Sequence, residues 1–289
     1  MFVFKAAVVG AGVMGGEIAQ VVAAADIPVL LKDVDQRFVD AGLQKAREVT
    51  ESQVGKLVSK EKLTAEQGAG QIERTLSLIT GTTAYDGFGD VDFVIEAVPE
   101  KMEVKHAVFS ELDAATPGHA ILASNTSGLS ITEIGDATNR PDKVVGFHFF
   151  WPASFMRLIE IVEGEETSQA TLQGAANFAQ AIRKTPVRCA ECPGFVVNRI
   201  LTSTASEIWR YQDETGISAE ELDAHITEAA GMPMGPFRVA DMSGLDTVAK
   251  VARDMRDAYG DRFYVHEGME KLVEQGDLGA KSGKGFYEH

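Results

Sequence analysis

Three glycines, Gly10, Gly12 and Gly15, stand in the order G-x-G-x-x-G within "VVGAGVMGGEIA". They follow an apolar run and open a helical pattern, which suits a turn that cradles a pyrophosphate. The first glycine permits the tight turn, the second lets the backbone approach the phosphates, and the third lets helix and strand pack closely. Val13 and Met14 lie between them, where a helix start offers N–H groups and the positive end of its dipole to an anion. Asp33 closes the next apolar run, "IPVLLKD", eighteen residues after Gly15. A carboxylate there accepts from a ribose 2′-hydroxyl and repels a 2′-phosphate, so the expected cofactor is NAD rather than NADP. Lys32 beside it leaves the strictness of that choice open. The alternative is a glycine turn and a surface aspartate with no ligand.

A second constellation lies in "GFHFFWPASFMRLIEIVEG". His148 follows Val144, Val145 and Phe147, and Glu160 sits between Ile159 and Ile161. An imidazole buried beside a carboxylate can exchange a proton: the carboxylate holds one ring N–H and stabilises the imidazolium, while the other nitrogen acts. The alternative is a satisfied core histidine and an unrelated glutamate on an edge strand. A nicotinamide site favours the chemistry, because oxidising an alcohol needs a base for the hydroxyl proton while hydride leaves carbon. Ser127, in "SNTS", falls just past an apolar strand, at the carboxyl edge where such sheets bind ligands. Its alternative role is a helix N-cap, which Ser130 fits better, with Glu133 completing S-x-x-E. Asn198, in the first turn of a later helix, reads as an amide that orients a carbonyl, or as a surface polar residue.

These residues need a scaffold. "VFKAAVV" (3–9) reads as a buried strand, and apolar positions 14, 18, 21, 22 and 25 as a helical stripe. Residues 36–74 are polar with helical spacing and form one or two helices. "LSLITGTT", "VDFVIEAV", "HAILASNTS" and "KVVGFHFF" read as strands, with "KMEVKHAVFSELDAAT" as a helix between two of them; "LIEIV" and "PVRC" extend the sheet. Strands alternating with helices imply an α/β fold, a Rossmann-type doubly wound and mostly parallel sheet. The pattern changes after Pro193. "PGFVVNRILTSTASEIWRYQDETG" is a helical stripe, and "SAEELDAHITEAAG" opens with a capping box at Ser218 and Glu221 and stops at Gly231. The expected division is an NAD-binding domain over 1–190 and an all-helical C-terminal domain over 191–289.

The 289 residues, 45% of them hydrophobic, suffice for a sizeable core. A formal charge of −16 argues against free nucleic acid or an anionic membrane as partner. No apolar run approaches about eighteen residues, so no membrane span is expected. The amino-terminal stretch lacks a basic leader and continues into the glycine motif, so no signal peptide is expected and the default location is cytoplasmic. Cys189 and Cys192 form "CAEC"; zinc would need two further ligands that no His or Cys cluster supplies, which leaves two reduced thiols at a strand end.

Taken in order, "GAGVMGGEIA", "VIEAVPEKMEVK", "SNTSGLSIT", "GFHFFWP", "PGFVVNRIL", "GMPMGPF", "SGLD" and "KSGKGFY" resemble the L-3-hydroxyacyl-CoA dehydrogenases, most closely the bacterial 3-hydroxybutyryl-CoA type, over nearly the whole length. The resemblance implies reversible, NAD-dependent oxidation of a short-chain 3-hydroxyacyl-CoA in fatty acid metabolism, as in β-oxidation. It also implies a homodimer formed through the helical domain. His148 becomes the general base and Glu160 its electrostatic partner. Ser127 bonds the substrate oxygen beside the nicotinamide, and Asn198 completes the substrate site. Glu100, Lys105 and Lys281 match positions near the cofactor, their alternatives being solvated charges. One departure stands out: where the family has the order His-Phe-Phe-Asn-Pro, this sequence has His-Phe-Phe-Trp-Pro, so Trp151 replaces an amide that contacts the cofactor side of the site, and as a candidate substrate-binding residue it can reshape the pocket, stack on a ligand or point away into the core. Residues 36–74 hold seven basic side chains against six acidic ones, a local excess in an acidic protein. The family's CoA nucleotide lies near this excursion, where Lys56 is the candidate phosphate contact or else part of a solvated face. Two other readings stay open: a β-hydroxyacid dehydrogenase that does not use CoA, and a non-catalytic NAD-binding protein on the same scaffold.

Overall fold

The computed structural model describes residues 2–289 and divides into two units at Cys192/Pro193. In the first, the apolar runs form β1 (Ala6–Val9), β2 (Val29–Lys32), β3 (Ile79–Thr82), β4 (Phe93–Glu96), β5 (Ile121–Ser124), β6 (Val144–Phe149), β7 (Leu158–Glu163) and β8 (Thr185–Ala190). They lie in the order β3-β2-β1-β4-β5-β6-β7-β8. Every pairing is parallel except β6 with β7. All residues of β1, β2, β4, β5 and β6 are buried, as strands covered on both faces must be. Three of these runs end in a polar residue, Lys32, Glu96 and Ser124, so the carboxyl edge of the sheet is where polarity begins.

The helices of this unit are α1 (Val13–Ala23), α2 (Gln36–Ser59), α3 (Ala65–Ser77), α4 (Met102–Ala115), α5 (Ile131–Gly135) and α6 (Gln169–Ala181). Thr64 and Gln67 start α3 with a reciprocal capping box. The core gathers around Phe93, Phe147 and Phe178, which bring β4, β6 and α6 together with ring centroids 4.3 to 5.9 Å apart. Two features differ from the reading of the sequence. The first strand begins at Ala6 rather than Val3, because the N–H groups of Phe4 and Lys5 donate to the Asp92 carboxylate instead of to a ladder. Helix α6, between β7 and β8, was not expected.

The second unit is helical: α7 (Val197–Thr215), α8 (Ala219–Ala230), α9 (Pro236–Ser243), α10 (Leu245–Tyr259) and α11 (Glu267–Gln275). Trp209, Leu222, Phe237, Leu245 and Met269 are among the side chains of its core. Ser218 Oγ accepts from the Glu221 N–H at the start of α8, the first half of the expected box. Gly216, Gly231 and Gly276 end α7, α8 and α11 in the left-handed conformation that favours glycine. Buried Asp241 accepts from the N–H groups of Phe286 and Tyr287 and so pins the final residues to α9. Among the described residues, no helix is long and apolar enough to cross a membrane.

Candidate active site

The glycine turn leaves β1 at its carboxyl end, beside the point where the sheet order reverses between β1 and β4. Gly10 has φ +102°, and a Cβ there would lie 2.5 Å from the Ala97 carbonyl. A Cβ on Gly15 would collide with the Gly10 carbonyl. Gly12 is different: a Cβ there would meet nothing within 4 Å. Its missing side chain keeps open a space rather than permitting a close contact inside the protein. Gly12 is also the N-cap of α1 and supplies no side-chain cap, so no cap side chain competes with an anion for the first-turn N–H groups. Asp33 braces the turn, its Oδ2 accepting from the Ala11 N–H and its Oδ1 from the Val34 N–H, both at 2.7 Å. The neighbouring Lys32 is buried with its ammonium 4.2 Å from the centre of the Tyr85 ring. The Tyr85 hydroxyl donates to Glu111, and burial followed by that carboxylate pushes the phenol well above its ordinary range. An open cradle, an uncapped helix start and a carboxylate at the second strand's end fit a dinucleotide.

The ends of β4 and β5, with the segments that follow them, carry a connected set of charged and polar groups. Glu96, fully buried at the end of β4, accepts from Lys105 Nζ at 2.8 and 3.0 Å, from Ser124 Oγ at 2.7 Å and from the Val98 N–H at 2.7 Å. Lys105, 1% exposed on α4, also lies 3.3 Å from Glu100 Oε2. The other oxygen of Glu100 accepts from Thr126 Oγ1 at 2.6 Å, from the Ser127 N–H at 2.9 Å and from Ser127 Oγ at 3.3 Å. Burial raises the Glu100 carboxyl, but the Lys105 charge and these bonds outweigh it and hold the group below its ordinary value. Lys105 thus reaches Ser127 through Glu100, and its ammonium is occupied by the two carboxylates.

His148 stands at the penultimate position of β6, and register places it directly opposite Glu160 of β7. Opposed residues of an antiparallel pair project to the same face, and here Nδ1 lies 2.8 Å from Glu160 Oε2. The His148 side chain is 7% exposed and that of Glu160 1%. An ionised carboxylate only accepts, so this bond puts the proton on Nδ1 and the lone pair on Nε2. Asn125 of the SNTS segment fixes the strand from the other side, its Oδ1 accepting from the Phe149 N–H at 2.9 Å. Phe150 packs on the imidazole with ring centroids 4.5 Å apart.

Trp151 follows immediately and is half exposed. Lys56 is exposed in the last turn of α2. In the helical unit, Asn198 lies half-buried in the first turn of α7, and Lys281 is ion-paired with Asp246 at the start of α10. The first unit therefore brings the glycine turn, Asp33, Glu100, Ser127, His148 and Glu160 to the carboxyl edge of one sheet. Glu96, Ser124, Thr126 and Asn125, which the sequence reading passed over, belong to the same edge. Glu96 had a visible signal, an acid inside the apolar run "VIEAV", the same signal that marks Glu160.

The family model described as 3-hydroxyacyl-CoA dehydrogenase, NAD binding domain, matches residues 5–192, and the one described as 3-hydroxyacyl-CoA dehydrogenase, C-terminal domain, matches residues 194–289. The protein is 38% identical to the 3-hydroxybutyryl-CoA dehydrogenase of Clostridioides difficile over 286 residues, covering 99% of each sequence. It is also 38% identical to the fatty acid oxidation complex subunit alpha of Psychrobacter sp. over 99% of its own residues, and spans 38% of that longer protein. Among solved structures, the (S)-3-hydroxybutyryl-CoA dehydrogenase PaaH1 of Ralstonia eutropha matches with a TM-score of 0.90 at 34% identity, over 100% of the present protein and 99% of that one.

Proposed function

The chain belongs to the 3-hydroxyacyl-CoA dehydrogenase family of NAD-dependent oxidoreductases, and we propose that it interconverts short-chain 3-hydroxyacyl-CoA and 3-oxoacyl-CoA with His148 as general base. The hydrogen bond between buried His148 and Glu160 carries this reading. In the oxidative direction His148 Nε2 takes the C3 hydroxyl proton, and Glu160 stabilises the imidazolium through Nδ1–H. Ser127, fixed through Glu100, holds the reacting oxygen. Asn198 orients the thioester. NAD, when bound, supplies the acceptor for the C3 hydride. Gly10, Gly12, Val13, Met14, Gly15 and Asp33 hold the dinucleotide, with Glu100 and Lys281 serving its nicotinamide side and Lys105, buried against Glu96 and Glu100, acting there only through Glu100. General-base assistance contributes about 10²–10⁴ in rate, and alignment of the reacting groups supplies much of the rest.

The remaining expectations complete the proposal. Lys56 contacts a phosphate of CoA on the basic excursion, and Trp151 lines the substrate side. A homodimer through the helical unit is supported by α7, which exposes the large apolar side chains Ile200, Leu201 and Tyr211. A cytoplasmic step of β-oxidation type suits such a protein. The test is NADH consumption with acetoacetyl-CoA, repeated over longer 3-oxoacyl-CoA esters. Turnover greatest with the short esters supports the reading; no turnover with any ester overturns it.

A further inference from the structure

The helix that opens at the glycine turn carries a carboxylate which the proposed reaction does not use. Glu17, on α1, is 3% exposed. A carboxylate taken out of water is strongly disfavoured unless its oxygens are bonded. Glu17 Oε2 accepts from both the N–H and the hydroxyl of Ser154, at 3.2 Å each, and Oε1 lies 3.7 Å from Lys45 Nζ on α2. The two helices approach closely here, since a Cβ on Gly16 would come within 2.7 Å of the Gly42 carbonyl.

Ser154 lies in the loop that joins β6 to β7, and so links the strand of His148 to the strand of Glu160. Loops of this kind ordinarily give their backbone polar groups to water. This one gives them to side chains from three other elements. Buried Lys184, between α6 and β8, donates to the carbonyls of Ala153 and Met156 at 2.5 and 2.7 Å. Gln53 of α2 donates to the Ser154 carbonyl at 3.3 Å. The N–H groups of Phe155 and Met156 close a turn onto the Pro152 carbonyl. Held in this way, the loop leaves Trp151, Phe155 and Met156 facing solvent, with Phe155 80% exposed.

We propose that Glu17, with Lys184, is a positioning residue that holds residues 152–156 as a fixed shelf beside His148. The shelf sets Trp151 and the β6–β7 register for the acyl-CoA substrate, and Glu17 takes no part in holding NAD. The assignment rests on His148 being the general base. It gives α1 two separate tasks: its first turn serves the dinucleotide, and its second turn braces the substrate side.

The test uses the full-length protein with Glu17→Ala, Glu17→Gln, Ser154→Ala and the Glu17→Ala/Ser154→Ala double variant. Four quantities are measured: KM and kcat with acetoacetyl-CoA, NADH affinity by direct titration, and acrylamide quenching of tryptophan. Trp209 is buried, so quenching reports chiefly on Trp151. Glu17→Ala is expected to raise the acyl-CoA KM and lower kcat, together costing about 10- to 100-fold in kcat/KM, and to make Trp151 more quenchable, with NADH affinity unchanged. Ser154→Ala should move the same quantities less, and the double variant should be no worse than Glu17→Ala, because the two residues share one interaction. Glu17→Gln keeps an acceptor for the Ser154 N–H and should restore most of the loss; it and Ser154→Ala still decide the matter if Glu17→Ala does not fold. Folded variants with unaltered quenching and unaltered KM would overturn the proposal, as would a loss confined to NADH affinity. An inactive wild-type protein would instead defeat the catalytic reading, while quenching would still report on the shelf.

Discussion

His148 and Glu160 face each other across the β6–β7 pair with Nδ1 and Oε2 2.8 Å apart, both almost wholly buried. The contact joins two directly opposed residues of an antiparallel ladder, so the backbone sets it before any rotamer is chosen. Replacing Glu160 by Gln keeps the shape and removes the charge. Turnover with acetoacetyl-CoA should fall by about 10²-fold, within the range general-base assistance contributes, while NADH affinity measured by titration stays as in the parent. An unaltered kcat would mean that the carboxylate only fills space.

Gly12 and Gly15 should separate binding from folding. Gly12→Ala places a methyl where nothing lies within 4 Å, so thermal stability should hold while NADH affinity falls sharply. Gly15→Ala drives a methyl into the Gly10 carbonyl and should lower stability itself. Melting curves and NADH titrations on both variants decide the point. Undiminished NADH affinity in Gly12→Ala would place the pyrophosphate elsewhere.

Lys105 compensates Glu96 and Glu100 from a site that is 1% exposed. Lys105→Met should destabilise the first unit by about 3–5 kcal/mol, the usual result of stripping one partner from a buried pair, as read by denaturant unfolding. The pH dependence follows from Glu100, whose carboxyl is held below its ordinary value of 4.5. A carboxyl depressed by folding contributes stability above its unfolded value and loses it as pH falls through the depressed value. The parent should therefore lose stability as pH falls from about 4.5, and Lys105→Met should lose less over that interval.

His266 makes the helical unit acid-sensitive in a different window. Its Nδ1 accepts from the Met269 N–H at 2.8 Å and so caps α11, while Nε2 lies 2.6 Å from Gln212 Oε1. The cap needs a neutral ring. Burial, opposed by Asp213 and Glu267, lowers its basicity below the ordinary 6.5. The unfolded state takes up the proton first, so stability present above pH 6.5 should decline as pH falls below it. His266→Asn, which can still cap, should flatten that decline in thermal melts between pH 7 and about 5.

The plan of the first unit was legible because buried parallel strands are continuous apolar runs and the helices between them are amphipathic. The glycine turn and Asp33 were legible because few residue types suit that geometry. Helix α6 was missed because the face it buries is largely Ala, Gly and Thr, which gives little contrast against its exposed Gln and Asn. His148 and Glu160 were visible as ionisable groups inside apolar runs, but their contact depends on a strand register that an eight-residue connection does not dictate. Lys105 in "KMEVKHAVF" reads as a charge near the cofactor or else a solvated one, and not as half of a buried ion pair, because its partner Glu96 lies on another element. Glu17 was hidden more deeply: α1 is buried on almost every side, so no stripe marks the residue as internal.

The most direct measurement is single-turnover oxidation of NADH by acetoacetyl-CoA in the parent and in His148→Gln, with NADH affinity titrated in both. The expected result is rapid oxidation by the parent and a rate lower by about 10²–10⁴ in the variant, at equal NADH affinity. Rapid oxidation by a folded His148→Gln protein would contradict the account.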